Sequence, residues 1–133
     1  MAYWLLKSEP DSFSWADQVA SGAKGERWTG VRNHQAKNFL KQMAIGDLAF
    51  FYHTGNEKQI VGVVEVIKTA YPDPTDLAWF AVDVVARDAM KRPVSLARIK
   101  ADPALAELAL VKSPRLSVQP VSDDHWHYLL SKG

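Results

Sequence analysis

The chain of 133 residues contains no cysteine, which excludes a disulfide scaffold, a thiolate metal site and a cysteine nucleophile. It has no run of 18 or more apolar residues, so no segment reads as a membrane-spanning helix and no membrane partner is expected. Its first residues do not combine a basic segment, an apolar run and a small-residue cleavage site, so the expected location is the cytoplasm. A glycine-rich phosphate loop and a Gly-x-Ser-x-Gly elbow are also missing. Charge of one sign is lacking too: 16 lysines and arginines against 15 aspartates and glutamates leave a net charge of +1. So neutral a chain is not a polycation that coats nucleic acid indiscriminately, and any contact with nucleic acid has to be local. What remains, 47% hydrophobic and 23% charged residues, is the composition of an ordinary globular domain, and a single domain over residues 1–133 is expected.

The acids gather at Asp73, Asp76, Asp83, Asp88, Asp102, Glu107, Asp123 and Asp124, which leaves residues 24 to 41 as the one basic region. Within it Trp28 offers an apolar plate, Gly30 can turn with φ > 0, and Asn33 can cap a helix opening at His34. Arg27, Arg32, Lys37 and Lys41 decorate the stretch against the single acid Glu26. A flat aromatic group attached to an anion suits such a stretch, and a nucleotide is such a ligand. A solvated helix face carries the same pattern. Upstream, Tyr3 to Leu6 reads as a buried first strand that ends in Lys7, Ser8, Glu9 and Pro10, and polar groups at a strand end can floor a site.

The remaining pattern mixes strands with short helices. Asp11 or Ser12 can cap a helix through Trp15, Ala16 and Val19 that Gly22 would stop. After Asn33, the residues Ala36, Phe39, Leu40 and Met43 fall at i, i+3, i+4 and i+7 and give one apolar helix face. Gly46-Asp47 turns into a strand over Leu48 to His53, residues 54 to 58 form a hairpin loop, and the β-branched run Ile60 to Thr69 is expected to be the longest strand and central. Tyr71-Pro72-Asp73-Pro74-Thr75 reads as a loop, because proline withholds a donor, and Trp79 to Arg87 resumes as an antiparallel strand. Leu96 to Lys100 reads as a helical turn, Asp102-Pro103 as a cap with proline at the first helical position, Leu116 to Val121 as a strand, and Ser122 as the cap of a last helix. The periodicity alone supports an α+β domain with a curled sheet.

Catalysis has little to stand on in the sequence. Lys7, Glu9, Asp47 and His53 supply acid and base groups without a spacing that compels a reaction. His125 and His127 are two apart, and no His/Asp/Glu set has metal-ligand spacing, so no metal and no other cofactor is expected. For binding, a base lifted from its strand loses stacking, which aromatic side chains return at about 1–3 kcal/mol per base. Trp28 is the first such wall, expected to border an open pocket with Ser8 and Glu9. Ser8 and Glu9, with Thr29, supply edge donors and acceptors, and Lys7 reaches a phosphate or pairs with Glu9. Asn33 reads as a cap and as a ligand contact. Arg32 and Arg115 suit phosphate oxygens through a bidentate fork, and Lys37 and Lys41 add charge beside Arg32. Trp4, Trp15 and Trp126 read as packing residues.

The chain resembles the EVE domain family, a PUA-like fold related to the YTH domain. The family's opening stands here as Trp4 to Pro10, and its tryptophan-x-glycine-valine-arginine-asparagine motif as Trp28 to Asn33. Further pieces recur in order at Gly46-Asp47, Phe50 to His53, Val61 to Val66, Tyr71 to Thr75, Arg92 to Leu96 and Arg115 to Pro120. The resemblance implies a curved, mostly antiparallel sheet or open barrel flanked by short helices. It also implies a noncatalytic module that recognises a modified base in DNA or RNA, with Trp28 in an aromatic cage and a second wall at Tyr71 or Trp79, from the loop after the long strand. Where relatives have tyrosine and glutamine after the asparagine, this chain has His34-Gln35. A nucleotide-processing or ribonuclease-like enzyme and a small-molecule or protein-interaction module are the alternative classes.

Overall fold

The computed structural model describes residues 1–133. Six strands form one open mixed sheet: β1 (Tyr3–Ser8), β2 (Glu26–Trp28), β3 (Leu48–His53), β4 (Gln59–Asp73), β5 (Asp76–Ser95) and β6 (Val118–Val121). Their spatial order is β2-β5-β4-β3-β1-β6. Four of the five pairings are antiparallel, and β1 runs parallel to β3. Five short helices complete the chain: α1 (Trp15–Ala20), α2 (His34–Gln42), α3 (Leu96–Ala101), α4 (Ala109–Lys112) and α5 (Asp123–Lys132).

The continuous apolar runs in β1 and β3 follow from burial on both faces. Trp4, Leu6, Ala49 and Phe51 join Trp28, Leu40 and Val64 in one core beneath α2. Their neighbours Leu5, Phe50 and Tyr52 join Ile99, Leu108, Trp126 and Leu129 in a second core beneath α3 to α5. The helices therefore cover opposite faces of the same sheet. Trp126 stacks on Phe50 at 4.0 Å and on Tyr3 at 4.5 Å, which seats α5.

Three local readings are corrected by the structure. Helix α1 is capped by Ser14, not by Asp11 or Ser12: Ser14 accepts the Asp17 N–H while Asp17 accepts the Ser14 N–H, a reciprocal box those earlier positions cannot form. Instead, the Glu9 carbonyl collects the N–H groups of Ser12 and Phe13 in a tight turn. The longest strand is β5, with 20 residues against 15 for β4, although β4 is central. Tyr71, Pro72 and Asp73 belong to β4, not to a loop. Register shifts between Lys68 and Tyr71 and between Pro72 and Asp73 leave irregular pairing where the missing proline donor is tolerated.

Asp73 ends β4 fully buried and carries much of the local order. It accepts the Gly30 N–H at 2.9 Å, the Arg32 guanidinium at 3.1 Å, and both the N–H and hydroxyl of Thr75 at 2.8 and 2.6 Å. Gly30 meets this carboxylate with φ of 81°, where a side chain would be strained. Burial pushes the Asp73 carboxyl up, but the bonds from Thr75, Gly30 and Arg32 outweigh it and hold the group well below the usual carboxylate range. Gly62, in β4, solves a different problem: a Cβ there would stand 2.5 Å from the Trp15 ring, which lies across the sheet against Phe51.

Two outcomes follow. A carboxyl depressed by folding stabilises the protein above its unfolded pKa of about 3.9 and loses that contribution as pH falls below it. Asp73→Asn should therefore cost at least about 2 kcal/mol at neutral pH and flatten the fall in urea midpoint between pH 4 and 2, measured against the parent protein. Gly62→Ala should displace the Trp15 ring and lower stability by about 1–3 kcal/mol, read from the denaturant midpoint and the tryptophan emission.

Candidate functional site

Strands β1 and β3 end side by side, with Ser8 opposite His53 and Lys7 opposite Tyr52. Beyond this end the chain turns at Glu9 to Phe13, and the edge strand β2 brings Trp28 alongside. A cavity of about 370 Å3 opens there, lined by Lys7, Ser8, Glu9, Ser12, Phe13, Glu26, Arg27, Trp28 and Thr29. That volume falls within the roughly 300–1,000 Å3 range of small-ligand sites. Only Phe13 and Trp28 are apolar among these residues, and their rings meet edge to face at 6.3 Å and 86°.

Trp28 has two roles in this geometry. It borders the cavity with Ser8 and Glu9, and it is also 7% exposed, set edge to face against Phe51 at 5.4 Å inside the core beneath α2. The Ser8 hydroxyl donates to the Phe13 carbonyl at 2.5 Å, which leaves its lone pairs as acceptors. Glu9 accepts the Thr54 hydroxyl on one carboxylate oxygen at 3.2 Å. Its carboxylate lies so close to Gly55 that a Cβ there would stand 2.9 Å away. Lys7 donates to the Pro114 carbonyl at 2.6 Å, and burial lowers its ammonium below the ordinary lysine value. It does not pair with Glu9.

The other residues singled out in the sequence fall elsewhere. Asn33 caps α2 by accepting the Ala36 N–H at 2.9 Å. Tyr71 donates to Asp83, and burial, together with that contact, raises its phenol. Half-buried Trp79 lies beside His34 at 4.9 Å, Lys37 at 5.3 Å and Arg32 at 5.8 Å. Neither Tyr71 nor Trp79 lines the cavity around Trp28. Arg32 pairs with Asp73, Lys37 and Lys41 lie over Phe80 at 5.9 and 5.1 Å, and Arg115 borders a second cavity described below.

Sequence reasoning missed Phe13 and Ser12 as cavity residues, and it named Glu26 and Arg27 only as charges of the basic stretch. Glu26 and Arg27 precede Trp28 on an edge strand, and that adjacency was the available signal. Phe13 had none, since only the turn at Glu9 folds it over Trp28.

Of the acid and base groups considered for catalysis, Lys7 and Glu9 share the cavity, whereas His53 and Asp47 are held by other partners. His53 accepts the Trp15 N–H on Nε2 at 2.9 Å and faces Glu57 with Nδ1 at 2.9 Å, so both ring nitrogens are engaged. Asp47 lies at the far end of β3, about 20 Å away at strand rise, where it accepts from Ala2, the Trp4 indole and Ala44. No group of three His, Asp or Glu side chains comes together to hold a metal ion, and no helix is long and apolar enough to cross a membrane.

Comparison with known proteins agrees with this architecture. The EVE domain matches residues 2–132. Human thymocyte nuclear protein 1 is 34% identical over an alignment that covers 98% of this chain and 73% of that protein. A protein from Rhodopseudomonas palustris solved by NMR superposes with a TM-score of 0.95 at 52% identity, covering 100% of this chain and 93% of the other. The crystal structure of human THYN1 protein in complex with 5-methylcytosine-containing DNA superposes with a TM-score of 0.92 at 34% identity, covering 99% and 97% of the two chains. At the level of fold alone, the YTH domain of Zygosaccharomyces rouxii MRB1 protein, in complex with N6-methyladenosine RNA, gives a TM-score of 0.59 at 17% identity, covering 98% and 83%. With its six-stranded open sheet, its opening strand and its Trp28 to Asn33 stretch in place, the chain belongs to the EVE domain family.

Proposed function

We propose that this protein is a noncatalytic module that binds a modified base in DNA or RNA, and that the base enters the cavity beside Trp28. One observation carries the reading: the cavity sets two aromatic rings, Phe13 and Trp28, against hydrogen-bond acceptors on Ser8 and Glu9. A flat ring with a polar edge is the ligand that uses both. The human relative held with 5-methylcytosine-containing DNA supports the same class of partner.

The chemistry narrows the base. With its proton committed to Phe13, Ser8 accepts, and an ionised Glu9 accepts as well. An acceptor pair calls for a base with an exocyclic amino group, which cytosine, adenine and guanine present and thymine lacks. A thymine or uracil offers only its ring N3–H, set between two carbonyls, so one acceptor of the pair would face a carbonyl, a mismatch that costs about 1–3 kcal/mol. A methyl group on the base gains from the apolar corner made by Phe13 and Trp28.

The cavity wall around Trp28 doubles as core, so truncating it is a poor test: Trp28→Ala should lower stability by about 3–5 kcal/mol. Phe13→Ala and Glu9→Gln probe the same cavity from its half-buried and exposed sides. Each should weaken binding of a methylcytosine-bearing oligonucleotide by about 1–3 kcal/mol, measured by fluorescence anisotropy, with the melting temperature nearly unchanged in Glu9→Gln and lowered in Phe13→Ala, whose ring packs on the core. Equal binding in all three proteins would remove the base from this cavity. A binding module also leaves its ligand intact, so mass spectrometry of the oligonucleotide after long incubation should return the starting material. Product that disappears in Glu9→Gln or a His53 variant would establish an enzyme instead.

A further inference from the structure

On the other side of Lys7 and Glu9 lies a second cavity, of about 520 Å3, and its character is different. Four cations border it, Lys7, Lys58, Lys100 and Arg115, against the single carboxylate of Glu9. They come from four separate parts of the chain: the end of β1, the β3–β4 loop, α3 and the segment before β6. Such a gathering is invisible in a chain of net charge +1.

Two features set these cations apart from those of the Arg32 to Lys41 stretch. Ion pairs in the molecule engage Arg32, His53, Arg87 and Lys112, and none engages Lys58, Lys100 or Arg115. Lys37 and Lys41, by contrast, are folded over Trp79 and Phe80. Lys58 is moreover the one non-glycine residue with positive φ, at 47°, and its carbonyl is pinned by the Leu96 N–H at 2.8 Å. Glycine or asparagine would sit there with less strain, and strain of this kind gathers at ligand clamps.

We infer that this cavity seats the phosphodiester backbone of the strand whose base enters the Trp28 cavity, with Lys58, Lys100 and Arg115 as the phosphate contacts. The inference rests on the nucleic-acid reading above and adds the path of the strand to it. Lys7 and Glu9 line both cavities, so the two are neighbours across one shared ridge. A nucleotide demands that arrangement: an anion linked through a sugar to a flat ring, the anion among cations and the ring against aromatic walls. Tyr52 is 3% exposed and offers no stacking face, so the second cavity suits a phosphate and not another base. Glu9 does not cancel the cations, because one carboxylate, already accepting from Thr54, stands against four of them.

An abasic oligodeoxynucleotide tests the seat without the base. On titration into isotope-labelled protein, backbone amide shifts should move at Lys58, Lys100 and Arg115 and return with added salt, while the Trp28 indole N–H stays still. A Lys58→Ala/Lys100→Ala double variant should lower affinity for the abasic strand several-fold and flatten the slope of log affinity against log salt by about 1.4, at about 0.7 per phosphate contact on a single strand. A Lys37→Ala/Lys41→Ala variant should change neither. Loss of affinity in that second variant alone, shifts confined to α2, or no binding of the abasic strand would overturn the seat. Failure of the base reading looks different: a modified oligonucleotide would then move Lys58 and Lys100 but leave the Trp28 indole unmoved.

Discussion

The parallel pair β1–β3 is the constraint on which the rest of the molecule depends. Both strands are buried on both faces, so each is apolar at nearly every position until it emerges. Where they emerge together, at Ser8 and His53, polar side chains become possible, and both cavities open at that end. The opposite end is closed by Asp47, whose carboxylate gathers the Trp4 indole and the N–H groups of Ala2 and Ala44. One end of the pair is thus sealed by a satisfied buried acid while the other stays accessible.

A second buried acid sets the wall of the Trp28 cavity. Asp73 closes the β4–β5 hairpin and, through the Gly30 N–H and Arg32, ties the chain after β2 to it. That anchor sits two residues from Trp28, which is itself wedged against Phe51 and Phe13. An aromatic wall held from three sides pays little ordering entropy when a ligand arrives. The same packing explains why Trp28 reads equally well as core and as cavity wall, since the sheet edge makes it both.

The division of charge is the clearest physical separation in the molecule. Basic residues that are adjacent in sequence, from Arg32 to Lys41, are engaged with Asp73, Trp79 and Phe80. Cations far apart in sequence, Lys7, Lys58, Lys100 and Arg115, surround one concavity. Low-dielectric walls concentrate the field of the second group more than an exposed helix face can concentrate the first.

How much was legible in the sequence follows from the range of the interactions involved. The cap at Asn33, the apolar face of α2, the cap at Ser122 and the strand ends at Ser8 and His53 are set within a few residues by propensity, capping and period, and the ordered EVE motifs carry the family. Local pattern failed where pairing overrode it: Pro72 reads as a loop breaker, yet the hairpin holds it in β4 through irregular register. The turn that lays Phe13 over Trp28, the absence of Tyr71 and Trp79 from the lining of that cavity, and the meeting of Lys58, Lys100 and Arg115 were decided by tertiary structure alone. Each depends on contacts between segments tens of residues apart, and a one-dimensional pattern of charge and hydrophobicity does not say which distant residues the sheet order brings to the same end.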